Sequence, residues 1–317
     1  LPQHKNFWFE DGNVVIVAQN TGFKVYKGLL AAQSPVFQDL FASANHAEEV
    51  FEGCPVVRLS DFPEDLRYLL PFLLPTTHVR SIPTDINMAS EAEYNQLSAL
   101  LLLGDKYQLE SITHQAADCF KAAFTNDFDR WDARPEADGL HARAGSEPTT
   151  GAADHRLRAI DAVHLARITD ASSVLPLALY HCALLGDAAA DGWTRADGRV
   201  HRLSAADLKR CEDGHRYLCE QRAGFLVGLF KADPSPECRT RIICGGLLEY
   251  LHGKGAAVYE ATPALLDRPD GWTYRSALCM RCARELEERE KGARRELWKK
   301  LPEIFRLKEA EMKVWEA

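Results

Sequence analysis

Short apolar or alternating runs at 14–26 and 56–59 flank a stretch with a 3.6-residue rhythm at 29–41, and that rhythm takes over beyond residue 60, so the chain reads as strands, a helix pair, a strand and then helices. Val14 to Ala18 is a β-branched apolar run entered through Asp11-Gly12-Asn13, a turn sequence, and it predicts a buried strand. Beyond Asn20-Thr21-Gly22, Phe23-Lys24-Val25-Tyr26 alternates, which makes the pair a hairpin with one face inward. Leu29, Leu30, Val36, Phe37, Leu40 and Phe41 recur at helical spacing, with Ser34-Pro35 opening a second helix because proline is tolerated in a first turn. Val56 to Leu59 predicts another strand, and Ser60-Asp61-Phe62-Pro63 predicts the cap of a helix carrying Leu66, Leu69, Leu70 and Leu73, which stops at Pro75. Leu97, Leu100, Leu101, Tyr107 and Leu109 stripe one further helix, and Ile112, Ala116, Cys119, Phe120 and Ala123 the next. Strands first and helical pairs after them predict an α+β domain over residues 7–125.

Residues 126–155 are rich in Asp, Ala, Arg, Gly and Pro without a sustained apolar period, and are expected to be a linker or mobile loop. Helical periodicity returns at Ile160, Val163 and Ile168, and again in Leu175 to Tyr180, a helix expected to end near Gly186. Ser204 to Asp207 resembles a capping box that opens a helix carrying Leu208, Cys211, Leu218 and Cys219. From Leu278 to Lys300 the charges alternate, with Glu285/Arg289, Glu287/Lys291, Glu290/Arg294 and Glu296/Lys300 at i,i+4, the pattern of a solvated helix face. Trp298, Leu301, Phe305, Met312 and Trp315 form an apolar stripe expected to dock back on the helical part. Residues 156–317 are therefore expected to be a mainly α-helical carboxy-terminal region.

A length of 317 residues favours two domains over one small core, and 46% hydrophobic with 26% charged residues is a globular composition. The formal net charge of -8 argues against a general polyanion binder, so nucleic acid is not an expected partner. Nine cysteines, an odd number scattered over a long chain, suit a reducing compartment, which places the expected setting in cytoplasm or nucleus. No run approaches the roughly 18 to 20 apolar residues that span a bilayer, and Leu1 to Glu10 lack the pattern of a signal peptide, so no membrane association is expected.

The chain has no GxSxG elbow, no GxxxxGK[ST] phosphate loop and no GxGxxG after a strand, and an enzyme is not expected. Cys279 and Cys282 form a CxxC, and with Cys238 and Cys244 upstream the four thiols suit tetrahedral zinc. The competing reading takes Ser276 to Glu290 as one continuous helix, on which residues i and i+3 are two packed core cysteines. A redox dithiol would want a βαβ context that is missing here. No cofactor is expected, and zinc on the four thiols is the alternative. Cys211 and Cys219 are expected on one face of their helix, in the core. The histidines at 155, 164, 181, 201, 215 and 252 form no HExxH or i,i+4 metal pair. Phe7-Trp8-Phe9 places three adjacent aromatics on one strand, where they cannot all face one core, so the cluster is a candidate for a partner contact, with simple packing over the end of the sheet as the competing reading.

Residues 7 to 124 resemble the BTB/POZ family. The resemblance is carried by Phe23-Lys24-Val25-Tyr26-Lys27-Gly28-Leu29-Leu30-Ala31-Ala32-Gln33-Ser34-Pro35-Val36-Phe37-Gln38-Asp39-Leu40-Phe41, by Leu59-Ser60-Asp61 leading into a leucine-rich helix, and by Leu103-Gly104-Asp105-Lys106-Tyr107-Gln108-Leu109. It implies a short sheet capped by helical hairpins, a homodimer, and a non-enzymatic scaffold or adaptor. The implied partner-binding residues are Phe7, Trp8, Phe9, Asn13, Lys27, Leu30 and Phe37. Tyr26 stands where the family usually carries His, and Asn13 where it often carries Asp, so the surface pocket typical of the family keeps only its basic half, Lys27. Asp11, two residues earlier on the same strand face, is the candidate replacement carboxylate. Residues 156–317 resemble the extension of fungal, mushroom-type BTB proteins through Leu175-Pro176-Leu177-Ala178-Leu179-Tyr180, Leu278-Cys279-Met280-Arg281-Cys282 and Leu297-Trp298-Lys299-Lys300-Leu301-Pro302-Glu303-Ile304-Phe305. Two alternatives stand beside the scaffold: a zinc-stabilised regulatory protein, and a substrate adaptor of a cullin-dependent ubiquitin ligase.

Overall fold

A computed structural model describes residues 1–44, 49–74, 82, 86, 88, 90–134, 152–231, 233–258, 263–267, 276–308 and 315. The chain divides into two compact units, Leu1–Ile86 with Ser90–Ala123, and Phe124–Ala317 with Asn87–Ala89.

The first unit runs β1 (Gln3–Trp8), β2 (Val14–Ala18), β3 (Thr21–Val25), α1 (Lys27–Gln33), α2 (Pro35–Ala44), β4 (Val50–Phe51), β5 (Cys54–Leu59), α3 (Pro63–Leu73), α4 (Glu91–Lys106) and α5 (Glu110–Ala123). Its sheet has the order β1-β3-β2-β5-β4. β2 and β3 form the expected antiparallel hairpin, with Val14 opposite Val25 and Ala18 opposite Thr21. β2 and β5 are parallel, Val15 opposite Val56, and a parallel pair needs a long crossover, which α1, α2 and β4 supply. Every residue of β2 is buried, which explains a run of five apolar side chains where a half-exposed strand would alternate.

One hydroxyl organises the helical hairpin. Ser34 Oγ accepts the N–H of Phe37 at 3.0 Å, starting α2, and donates to the carbonyl of Tyr107 at 2.7 Å, tying that turn to the end of α4. Phe37 then stacks flat on the Tyr107 ring, 4.2 Å between centroids. Within Ser60–Pro63, the stretch expected to cap α3, Asp61 accepts the Tyr107 hydroxyl and the Lys106 ammonium instead. The residue before α3 is Phe62, which gives no side-chain cap; Pro63 opens the helix and Glu64 and Asp65 supply negative charge to its first turn. Burial pushes the Tyr107 hydroxyl well above the usual tyrosine range and the Asp61 bond adds to it, so it remains a donor.

The second unit is mainly helical: α6 (Phe128–Asp132), α7 (Ala152–Ile168), α8 (Leu175–Ala183), α9 (Ala188–Asp191), a small hairpin of β6 (Trp193–Thr194) and β7 (Val200–His201), then α10 (Ala205–Leu229), α11 (Arg241–Val258), α12 (Met280–Lys299) and α13 (Leu301–Ile304). α8 is buried along its whole length, with α7 and α10 against it, so the all-round apolar Leu175–Ala183 is a central helix. Ser204 caps α10 as expected, its Oγ accepting the N–H of Asp207 at 3.1 Å. The tail returns as expected: Trp298, Leu301, Phe305 and Trp315 are buried, and the Trp315 indole donates to the Trp298 carbonyl at 3.2 Å. Met312 lies outside the described residues.

Three expectations change here. The segment read as a linker holds α6 and the start of α7, with residues 135–151 outside the described residues; α6 is short, and Phe128 and Trp131 anchor it against Trp298 at 5.8 and 5.1 Å. Glu290 and Arg294 are not on a solvated face: both are buried, Arg294 also meets Asp132 at 2.7 Å, and its guanidinium lies 5.7 Å from the Phe128 centroid. Cys211 is buried whereas Cys219 is exposed, because eight residues advance a helix by about 800°, leaving the two roughly 80° apart. Among the described residues no helix is long and apolar enough to cross a membrane.

Candidate functional site

Two groups of residues singled out by the sequence are built by the fold, one in each unit. In the second unit, Cys238 lies in the turn before α11, its N–H bonded to the Ser235 carbonyl at 2.9 Å. Cys244 sits in the first turn of α11, its N–H on the Thr240 carbonyl at 2.9 Å. Cys279 is the residue preceding α12 and Cys282 stands in that helix's first turn. The expected continuous helix from Ser276 is therefore corrected: α12 begins at Met280, so the CxxC straddles a turn and a helix start, which is the geometry that lets both sulfurs face one point. All four Sγ atoms lie within 4.8 Å of one another. Cys279 Sγ is 3.7 Å from Cys238 Sγ, and the Cys279 N–H donates to Cys244 Sγ at 3.4 Å. Thr240 Oγ1 lies 3.3 Å from Cys244 Sγ. The backbone N–H of Cys282 pulls the Cys279 thiol down to about 6 against a smaller effect of burial, with the neighbouring thiols assisting; burial pushes Cys282 up to about 12. Leu226, Leu229, Phe230, Leu248, Leu251 and Leu286 form the apolar cluster around them. Among the described residues no other group of His, Cys, Asp and Glu side chains is gathered in this way.

In the first unit, β1 is the edge strand of the sheet, and among the described residues no strand pairs with its outer side. It meets β3 at Gln3–Gly22 and at Trp8–Lys24, five residues on one strand against two on the other, so the middle of β1 bulges out of the ladder. Phe7 is buried against His4 and Phe23. Trp8 lies edge-on to Phe51 at 6.0 Å, and Phe9 rests against Tyr26 at 5.0 Å. The three aromatics thus split between sheet faces, as three neighbours on a strand must, and Trp8 and Phe9 stay half-exposed. Asn13 is exposed, and its Oδ1 accepts the N–H of Lys27 at 2.8 Å, pinning the start of α1. The Tyr26 hydroxyl donates to Asp11 Oδ1 at 2.6 Å, and that bond raises the tyrosine pKa. A BTB/POZ domain model matches residues 7–123. The amino-terminal unit is a BTB/POZ domain. Comparisons with curated proteins and with solved structures gave no match for the chain.

BTB/POZ domains are protein–protein interaction modules. In this one, Leu30 and Phe37 are fully buried, so they belong to the interior and not to a contact surface; their places on α1 and α2 turn them under the hairpin, toward Tyr107 in the case of Phe37. Leu29, one position along, is 38% exposed, and Val36 and Leu40 are half-buried, so the apolar surface that α1 and α2 leave open sits one step away from the residues expected to carry it. Asp11, the candidate replacement carboxylate, engages Tyr26 directly. Only the end of the edge strand β1 was marked in the sequence, by its adjacent aromatics; its start was not, because Gln3 to Asn6 has no clean alternation.

Proposed function

We propose that the chain is a non-enzymatic scaffold or adaptor whose BTB/POZ domain forms a homodimer through the outer side of β1 and the open apolar surface of α1 and α2. The observation that carries the reading is the family match over residues 7–123. Two features support it: the unpaired side of β1 offers backbone donors and acceptors that another chain can pair, and Leu29 with half-exposed Trp8 adds apolar area. A cullin is the narrower partner the domain class admits, and a fungal-type helical extension is the setting proposed for residues 156–317. Nine free cysteines support a reducing compartment, cytoplasm or nucleus. Size exclusion with light scattering on the full chain at micromolar concentration tests the proposal. A dimer is expected, and a monomer with no concentration dependence would refute self-association. Capture of a cullin amino-terminal domain by the purified chain tests the narrower partner, and no retention removes it.

A further inference from the structure

We infer that Cys238, Cys244, Cys279 and Cys282 hold one structural zinc ion. Five residues separate the first pair and two the second, and the chain brings them together from three places: the turn before α11, the first turn of α11 and the turn into α12. Apolar packing gives no reason for four sulfurs from three segments to converge on one point. A tetrahedral ion does. With Zn–S near 2.3 Å the sulfurs of a ZnS4 site stand about 3.8 Å apart. Cys238 and Cys279 already stand at 3.7 Å, and no pair exceeds 4.8 Å, so closing the tetrahedron moves the widest sulfurs by about 1 Å.

The surroundings point the same way. The Cys279 N–H and Thr240 Oγ1 both lie against Cys244 Sγ, which are the donors a zinc-bound thiolate uses to spread its charge. Arg281 pairs with Glu237, and the Arg241 guanidinium donates to the Ser235 carbonyl at 3.2 Å, so the turn carrying Cys238 is fastened to α11 and to the start of α12. Four soft thiolates with no carboxylate or imidazole among them select zinc over magnesium, calcium or manganese. The ion would join the first turns of α11 and α12, each of which packs on α10, at the end of a small apolar cluster, where a metal adds what burial alone cannot. This site is independent of the BTB/POZ reading, and its failure leaves that reading untouched.

The test uses the full chain, purified with a thiol reductant and without chelator, and reads its metals by inductively coupled plasma mass spectrometry. About one zinc per chain is expected; less than about 0.2 overturns the proposal. The double variant Cys279→Ser, Cys282→Ser should lose the zinc, while Cys219→Ser, an exposed cysteine elsewhere on α10, should keep it. If the double variant does not fold, wild-type chain stripped with chelator and titrated with cobalt gives the answer. Intense visible bands of a tetrahedral cobalt thiolate, bleached by added zinc, support the site. A colourless titration, bound iron in place of zinc, or two disulfides among the four cysteines of the native chain overturns it.

Discussion

Asp61 carries a buried polar network. Its two oxygens accept the Tyr107 hydroxyl and the Lys106 ammonium, joining the end of β5 to the end of α4 across some 45 residues of sequence. Removing only the tyrosine hydroxyl leaves the ring on Phe37 and the carboxylate short of a partner. Tyr107→Phe is therefore expected to cost about 1.5–3 kcal/mol of stability, the usual value of a hydrogen bond to a charged group, read from urea unfolding; a loss below about 0.5 kcal/mol would show the network to be idle. Ser204 was legible from sequence because its bond is local, three residues on. The bonds of Asp61 were hidden because its partners are far away in the chain, and Leu30 and Phe37 were assigned to a surface on the family resemblance, which does not say which apolar side chains of this chain lie at the rim. A second prediction concerns Asp267. Burial pushes its carboxyl from 3.8 up to about 7, against the pull of Arg156 at 3.1 Å and of Arg294. A group that holds its proton more tightly folded than unfolded favours the fold at low pH, and that contribution is lost as pH rises from about 4 to about 7. The thermal midpoint of wild type should fall over this window more steeply than that of Asp267→Asn, and parallel profiles would contradict the assignment.

α10 carries several glycines, and two of them are expected to respond oppositely to alanine. A Cβ at Gly214 would stand 2.3 Å from Phe305 Cε1, in a ring that is fully buried, so the close approach of α10 to the residue after α13 requires glycine. Gly224 has nothing within 4 Å of such a Cβ and is exposed. Gly214→Ala should destabilise by about 1–3 kcal/mol through overpacking, and Gly224→Ala should stabilise by up to about 1 kcal/mol through helix propensity. Chemical denaturation of the two variants checks the pair, and equal shifts would mean that Phe305 moves aside freely. The elements with strong periods, β2, β3, α1 to α5 and α10, were legible in the sequence. α6 was hidden by its brevity, and the start of α12 was placed early because Ser276 to Met280 carries no stop signal. That one displaced boundary changes the reading of the thiols: on a continuous helix the CxxC reads as core, on a turn it reads as the ligand pair proposed above.

At the level of the chain, charge alternation misled where burial was at stake. Glu290 and Arg294 have the spacing of a surface pair and are buried, since nothing in a linear pattern shows that Arg294 meets Asp132 and the aromatics of α6. The division into a BTB/POZ domain and a mainly helical unit was marked in the sequence by the stretch after residue 125, where the sustained apolar period lapses. The outer side of β1, unpaired by any strand among the described residues, is a property of the assembled sheet, and it bears on the proposed role more than any single side chain does. The most direct measurement is sedimentation equilibrium of the full chain over nanomolar to micromolar concentration. A reversible species at twice the 35.5 kDa chain mass is predicted, and a single 35.5 kDa species throughout would contradict self-association through the BTB/POZ domain.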